Sequence, residues 1–549
     1  MKLLFALLLA LAAVAAGAAE SRDTVTQGTA TQGATPAPDT ATDEPAATFE
    51  SVALGLSRAG FREKTELAER LAGFEDPRVP VLLETLLAGD LYADPATGAL
   101  FVGKDAPAPL VGATEASAPP DKLRKVITNN SLRRALRPLL AATRLRDPDP
   151  AVRAQAARTL VGDVPPALTP TLEQVTAAEQ HPQVRRALRI ALASVHLADA
   201  DPGVRGAAVQ VLAAHSDKQI LTLIEQRARQ EQDPEVSAAL AEAIASLQAR
   251  EKWFAFLGDL FFGLSLGSVL LLAAVGLAIT FGVMGVINMA HGEMIMLGAY
   301  TTYVVQLLMP NHIELSLAVA VPAAFLVSGL VGIAIERGVI RFLYGRPLET
   351  LLATFGISLV LQQLVRTIFS PLNKSVITPD WLSGSWQLNG MLSLTYNRLY
   401  IILFALAVLV TLVGLLRKTP IGLQMRAVTQ NRAMASSMGI RTGRVDALTF
   451  GLGSGVAGIA GVALSQLTNV GPNLGQSYII DSFLVVVFGG VGSLFGTFVA
   501  AMSLGVVTKF AEPLVGAVLA KILILVFVIL FIQRRPRGLF ALKGRFVED

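Results

Sequence analysis

Apolar positions follow two regimes along this chain. Up to about residue 250 they recur at helical spacing among polar residues, and from Trp253 onward they gather into long runs parted by short polar loops. In the first regime Leu67, Leu71 and Phe74, then Val81, Leu82 and Leu86, mark helices. Leu91-Tyr92 and Leu100-Phe101-Val102 flank Asp94-Pro-Ala-Thr-Gly98, the pattern of a short hairpin. From residue 121 to 250 a motif recurs: Asp149-Pro-Ala-Val-Arg153, His181-Pro-Gln-Val-Arg185, Asp201-Pro-Gly-Val-Arg205 and Asp233-Pro-Glu-Val-Ser237. Each opens an Ala/Leu-rich helix, with Asp or His as cap, Pro in the first turn and Val facing a core. In the second regime the runs Phe256–Met284, Val286–Met309, Ile313–Ile335, Leu351–Phe369, Tyr400–Leu416 and Ala447–Leu467 each approach or exceed the thickness of a bilayer core, as do Ser482–Lys509 and Pro513–Ile532.

The expected fold class is therefore all-α: a polytopic membrane helix bundle behind an exported helical domain. Residues 1–19 read as a signal peptide, with Lys2, an apolar core Leu3–Val14 and small residues to Ala19. The alternative is an uncleaved anchor. Residues 20–48, rich in Thr, Ala, Gln, Gly and Pro, read as a disordered linker. Residues 49–250 form the mainly helical extracytoplasmic domain, 253–540 the membrane domain and 541–549 a cytoplasmic tail. The Asp/His-Pro motifs resemble HEAT-like hairpins at a shorter period, with two readings open: a concave surface for a partner, or Arg residues serving only the domain's own packing.

Composition and charge constrain the picture further. Hydrophobic residues make up 52% of the 549 and charged residues 16%, a balance that requires a multi-span region. The net charge of +4 does not point to nucleic acid, because the basic residues sit beside membrane runs, where orientation explains them. The chain has no cysteine, which excludes disulfides, thiolate metal sites and cysteine nucleophiles. Arg417, Lys418, Arg426, Arg432, Arg441 and Arg444 crowd one inter-span stretch opposed only by Asp446, so that stretch is cytoplasmic. Counting from an outside start, five crossings place it there, and Ser370–Asn397 falls outside with Trp381 and Trp386. The basic tail, Arg534 to Arg545, also belongs inside, which three further full crossings would forbid. Ser482–Lys509 restores the parity if it enters and leaves on one side through Gly489, Gly490, Gly492 and Gly496; eight full crossings remain the other option.

Several residues carry candidate chemistry. Within Arg417–Arg441, Met425, Ala427, Ala433, Met434 and Ala435 are good helix formers and Gly439 closes the short helix, a shape suited to docking on a soluble partner. Asn288-Met-Ala-His-Gly-Glu-Met294 places His291 and Glu293 inside apolar sequence, where they read as a structural hydrogen-bonded knot between half-helices, with Asn288 the better pathway candidate. Gly453-Ser-Gly-Val-Ala-Gly458 spells a dinucleotide pattern without the strand such a site needs; in an apolar helix its glycines serve close packing. No Walker A sequence, no His-Glu-x-x-His and no histidine after His312 occur, which argues against a self-contained ATPase, a metalloprotease or a serine hydrolase. No cofactor or metal is expected.

Gly422, Met425-Arg426-Ala427, Asn431, Arg432, Ala435 and Gly439-Ile440 resemble the ATPase-coupling loop of ABC importer permeases. Gly-Val-Met-Gly-Val-Ile-Asn288-Met-Ala-His291-Gly-Glu293, Arg346–Thr354 and Arg535–Phe540 narrow the resemblance to branched-chain amino acid and urea permeases over about residues 256–540. Together with the helical N-terminal half, the chain looks like the UrtB type of urea permease subunit. The resemblance implies ATP-driven alternating access with a second permease subunit, cytoplasmic ABC ATPases and a periplasmic solute-binding protein, in the cell inner membrane. It implies no enzyme activity in the chain itself. Asn288, Thr354, Ser358, Gln362 and Asn469 would line a path for a small neutral solute. The alternatives are a permease for branched-chain amino acids or small amides, and a non-transporting receptor whose helical domain binds a partner.

Overall fold

A computed structural model describes residues 48–74, 76–103, 107–112 and 123–540; the expected signal peptide, nearly all of the linker and the tail lie outside them. The described chain is mostly helical, with two small sheets that an all-α expectation leaves out. It divides into two compact units, up to Leu136 and from Arg137.

In the first unit, helices α1 (Phe49–Gly55), α2 (Phe61–Ala72) and α3 (Arg78–Ala88) bury Val52, Leu71, Leu82 and Leu86. A four-stranded antiparallel sheet follows, in the order β3 (Ala108–Val111), β2 (Leu100–Val102), β1 (Leu91–Ala93), β4 (Arg124–Lys125). The β1–β2 hairpin turns where the Asp-Pro-Ala-Thr-Gly run predicts. The Asp94 carboxylate accepts from the Ala96 amide at 3.0 Å and the Thr97 hydroxyl at 2.6 Å, and Gly98 takes a φ of +81°. Helix α4 (Asn130–Arg144) ends this unit and begins the next.

The second unit opens with a layer of helices: α5 (Pro150–Thr159), α6 (Thr169–Ala178), α7 (Pro182–His196), α8 (Pro202–Ala213) and α9 (Lys218–Ala228). Asp149, Asp201 and Asp233 cap α5, α8 and the helix after α9 through their side chains, whereas His181 makes no side-chain cap. The Arg of the repeated motif has a definite job. Arg153 grips Glu179 at 2.8 Å and the Asp147 carbonyl, and Arg205 grips Glu231 at 2.7 Å and the Asp199 carbonyl. Both pairs join residues 26 apart, and both carboxylates also accept the backbone amides leading into the next Pro-started helix. Arg185, the equivalent residue of α7, reaches only the Gln180 carbonyl.

Helix α10 (Pro234–Met284) is 51 residues long and belongs to both worlds. Its first turns bury Val236, Leu240 and Leu247 in the layer, and its last turns bury nearly every residue from Ser265 to Gly282 in the membrane bundle. The bundle continues with α11 (His291–Leu308), α12 (Ile313–Gly338), α13 (Pro347–Phe369), the hairpin of β5 (Ser385–Gln387) and β6 (Ser393–Thr395), α14 (Tyr396–Lys418), α15 (Pro420–Gln430), α16 (Arg432–Ser437), α17 (Thr442–Ser465), α18 (Gln476–Gly489), α19 (Leu494–Val515) and α20 (Ala517–Arg534). Among the described residues, seven helices are long and apolar enough to cross a membrane; α11 and α18 run beside them. Helix α17 is the central one and packs through glycine. A methyl on Gly453 would lie 2.6 Å from the Gly276 carbonyl, and one on Gly461 would lie 2.6 Å from the Ala299 nitrogen, so only hydrogen fits. The Gly453–Gly458 pattern is thus a packing stripe in a continuous helix.

The glycine break expected within Ser482–Lys509 is present, and the chain doubles back there. The stretch Ser482–Lys509 is not one element: α18 begins at Gln476, and the chain turns at Gly490 (φ +104°) and Gly492 (φ +81°) before α19. That turn lies against the basic end, where the Leu539 and Phe540 amides donate to Phe488 and Gly489 carbonyls at 2.9 and 3.1 Å. The other end of α19 returns to the layer end, with Phe510 on Phe256. Residues 466–489 therefore descend the bundle as a loop plus a short helix, and α19 climbs back, so this stretch enters and leaves at the layer end as the one-sided reading expects.

Candidate functional site

Two places in the bundle concentrate polar groups. The first lies where α10 stops. Gly285 adopts a left-handed φ of +70° and ends that helix, and residues 286–290 form a non-helical break before α11. The break exposes backbone amides inside the protein, and side chains take them up. Asn288 Oδ1 accepts from the Ala290 amide at 3.0 Å, and Thr354 Oγ1 accepts from the Met289 amide at 3.1 Å. In the first turn of α11, Glu293 is almost wholly buried. Its Oε1 accepts from Ser358 Oγ at 2.8 Å and from Gln362 Nε2 at 2.7 Å. Thr354, Ser358 and Gln362 stand four residues apart, so they form a single polar stripe on α13 facing the break. The stripe continues to Arg366, whose guanidinium donates to Asn473 at 2.8 Å.

Four of the five residues expected along a pathway therefore come together: Asn288, Thr354, Ser358 and Gln362. Asn469 does not join them; it is exposed on the segment after α17, next to Val470, which pairs with Lys374. The expected His291–Glu293 knot is also different. His291 Nε2 donates to the Ala273 carbonyl at 2.8 Å and pins α11 to α10, while Glu293 turns to α13. The polar cluster is thus centred on a carboxylate, where the expected pathway was free of one. Glu293 Oε2, Asn288 Nδ2 and His291 Nδ1 are buried without a protein partner among the described residues. Such groups are costly in an apolar bundle unless they meet water or a ligand. Spacing on α13 made this stripe visible in sequence; the Glu293 acceptor needed the fold.

The second place is the basic loop. It forms two short helices rather than the single one expected, because Asn431 leaves the helical region (φ −155°, ψ 103°). Thr419 caps α15 on the Gly422 amide, and Asn431 caps α16 on the Met434 amide at 2.9 Å. Gly439 follows at φ +87°. Met425, Val428 and Ala435 are buried, and Gly422 packs on Leu416 with no room for a side chain. Ala427 is half-buried against the same core. Arg426 donates to the Leu416 carbonyl. Arg432 turns inward: it forms a bidentate pair with the fully buried Asp446 on α17, and its guanidinium lies 4.4 Å from the centre of the Tyr344 ring. Burial pulls the Arg432 guanidinium down, but the Asp446 carboxylate outweighs it and holds it above its usual value. The outer surface presents Ile421, Leu423, Met434 and Met438, all exposed, beside Arg417, Lys418, Arg441 and Arg444. Sequence reading named Met434 only as a helix former and passed over Ile421, Leu423 and Met438, because composition does not show which face of a short helix is exposed.

Comparison with known proteins bears on both places. Residues 260–532 match the family described as branched-chain amino acid transport system / permease component. The high-affinity branched-chain amino acid transport system permease protein LivH of Salmonella typhimurium is 30% identical over 299 residues, covering 53% of this chain and 96% of that protein. BraD of Pseudomonas aeruginosa, described in the same terms, is 29% identical over 293 residues, with 52% and 95% covered. A shorter likeness reaches the ribose import permease protein RbsC of Bacillus subtilis, 33% identical over 98 residues, 17% of this chain and 30% of that one. No solved structure matches.

Proposed function

The chain belongs to the branched-chain amino acid transport permease family, and from that premise we propose that it is the membrane subunit of an ATP-driven importer for branched-chain amino acids. It is a permease subunit rather than an enzyme, with ATP hydrolysis on a separate chain. A second permease subunit, cytoplasmic ATPases and a solute-binding protein complete the assembly in the inner membrane. The layer end then faces outward, and the helices of residues 137–250 stand there as HEAT-like repeats.

The observation that carries this reading is the Glu293 cluster inside the matched region. Its carboxylate has one oxygen committed to Ser358 and Gln362 and one oxygen without a protein partner. An α-ammonium group is a natural partner for that second oxygen, and the break at residues 286–290 offers backbone polarity beside it. A neutral solute such as urea would instead meet an uncompensated carboxylate. The relatives' own descriptions also name amino acids. Urea stays as the second reading because the extended N-terminal half of the chain lies outside the matched region and distinguishes it from those relatives.

On the cytoplasmic face, α15 and α16 form the surface that receives the ATPase. Ile421, Leu423, Met434 and Met438 supply apolar anchors, and the surrounding arginines supply orientation. Arg432 acts behind that surface and carries displacement to α17 through Asp446.

Uptake of labelled leucine and labelled urea, measured in a strain lacking this chain and in the same strain with it restored, tests the assignment. Restored leucine uptake with unchanged urea uptake is expected. Restoration of urea uptake alone reverses the choice of substrate, and restoration of neither removes the transport reading.

A further inference from the structure

A cleft with a volume of about 820 Å³ lies outside the bundle, between the helical layer and the β5–β6 hairpin. Its walls come from α5, α7, the α8–α9 turn and the turn at residues 387–390. This is the size of a small-molecule site. Nothing in the transport reading uses it.

The lining is biased in charge. Arg158 and Arg186 enter from two neighbouring helices, and the one acid among the lining residues, Asp217, is already engaged. Its Oδ1 accepts the Gln219 amide at 2.7 Å as the cap of α9, and its carboxyl group packs on Gly390, where no side chain would fit. Arg186 is held ready. His215 Nδ1 donates to the Val211 carbonyl at 2.9 Å, which in the neutral ring makes Nε2 an acceptor. That Nε2 takes the Arg186 Nε–H at 3.0 Å. The guanidinium is therefore oriented through its inner nitrogen, and its two terminal nitrogens are left as a fork, the geometry that grips an oxyanion with two parallel hydrogen bonds. Ile190 and Ile220 add an apolar floor.

We propose that this cleft binds a small molecule bearing a carboxylate or phosphate, held by the Arg186 fork and Arg158. The occupant touches the layer and the 387–390 turn at once. Those two walls are otherwise joined near the cleft by the Asp217–Gly390 bridge and by Met391, which lies in the core of the layer. A bound anion thus tightens the hold of the layer on the outer hairpin of the transport domain.

Trp386, exposed and adjacent to lining residue Gln387, supplies a reporter. The full chain in nanodiscs is titrated with succinate, with inorganic phosphate and with acetamide as the uncharged control, while tryptophan emission is followed. A saturable change is expected with at least one anion and not with acetamide, and it should be lost in Trp386→Phe. Arg158→Gln combined with Arg186→Gln should weaken apparent affinity at least about tenfold. Arg186→Lys, which keeps the charge but loses the fork, should fall between. A response to succinate alone assigns a carboxylate ligand, and one to phosphate alone a phosphorylated one. Equilibrium dialysis with labelled anion repeats the measurement without the reporter. No saturable binding of either anion up to about 10 mM by both methods, or binding that the double substitution leaves unchanged in a protein with normal helical content, overturns the proposal.

Discussion

The helical layer and the membrane bundle share one long helix and almost nothing else in how they hold together. In the layer, leucine and alanine fill a core, aspartates cap helix starts, and two buried Arg–Glu pairs tie successive turns. In the bundle, the closest approaches are backbone on backbone at Gly276, Gly298, Gly453 and Gly461, and the polar side chains are few and clustered. The difference follows from the surroundings. Water rewards burial of apolar area, so large side chains drive the layer together. Between helices in lipid that reward vanishes, and contact must come from small residues and internal hydrogen bonds. One solvent selects for bulk, the other for its absence.

The contrast can be broken most severely at the bundle's centre. Gly461→Leu forces a side chain into the α11 backbone, where even hydrogen leaves little space. Overpacking of this kind costs upward of about 3 kcal/mol, and no monodisperse protein should survive size-exclusion chromatography after detergent extraction. Next comes the link beneath the bundle. Arg432→Asp leaves the buried Asp446 carboxylate facing a like charge; the loss should be about 2–3 kcal/mol because Arg432 is partly exposed, and transport should fail. Arg432→Asp with Asp446→Arg should recover part of both melting temperature and uptake, whereas Arg426→Asp should reduce uptake without lowering the melting temperature.

Glu293→Gln preserves shape and removes charge. Leucine uptake should fall at least about tenfold while expression and melting temperature hold, as measured by labelled uptake and thermal denaturation. If uptake persists, the cluster is packing rather than pathway.

The smallest effects belong to the layer, where water softens every loss. Asp201→Ala removes one helix cap and should cost about 1 kcal/mol. The Arg205–Glu231 pair adds a pH signature. The Arg205 guanidinium holds the Glu231 carboxyl at about 2, below its usual range near 4.5. A depressed carboxyl stabilises the fold above its ordinary pKa and stops doing so as pH falls through the lowered one. Wild-type protein should therefore lose stability between about pH 4.5 and pH 2, and Glu231→Gln should flatten that part of the curve in melts recorded against pH.

How much of this was legible beforehand depended on periodicity. The membrane runs, the hairpin at Asp94–Gly98 and the polar stripe Thr354, Ser358, Gln362 follow from spacing, so pattern alone exposes them. The glycine turn at Gly490–Ser493 and the doubling back it permits follow from the glycines, but the start of α18 at Gln476 does not. Six consecutive apolar residues, Phe483 to Phe488, conceal where α18 lies relative to α19, because a buried half-length helix and the end of a full span have the same composition. The Arg432–Asp446 pair was hidden for another reason. A basic loop beside a membrane explains its own charge through orientation, so nothing in the sequence marks one arginine as turned inward. The His291–Glu293 pairing misled because residues two apart in a helix face different sides.

One consequence remains in the 51-residue helix α10. At about 1.5 Å per residue it is roughly 75 Å long, and the part above the bilayer extends some 30 Å beyond its anchorage. A tilt of about 10° about the point where the helix leaves the bundle would sweep the far tip through about 5 Å. The layer riding on that tip is then a pointer on a lever arm. A movement too small to notice among the packed glycines would become a displacement of several ångströms at the layer.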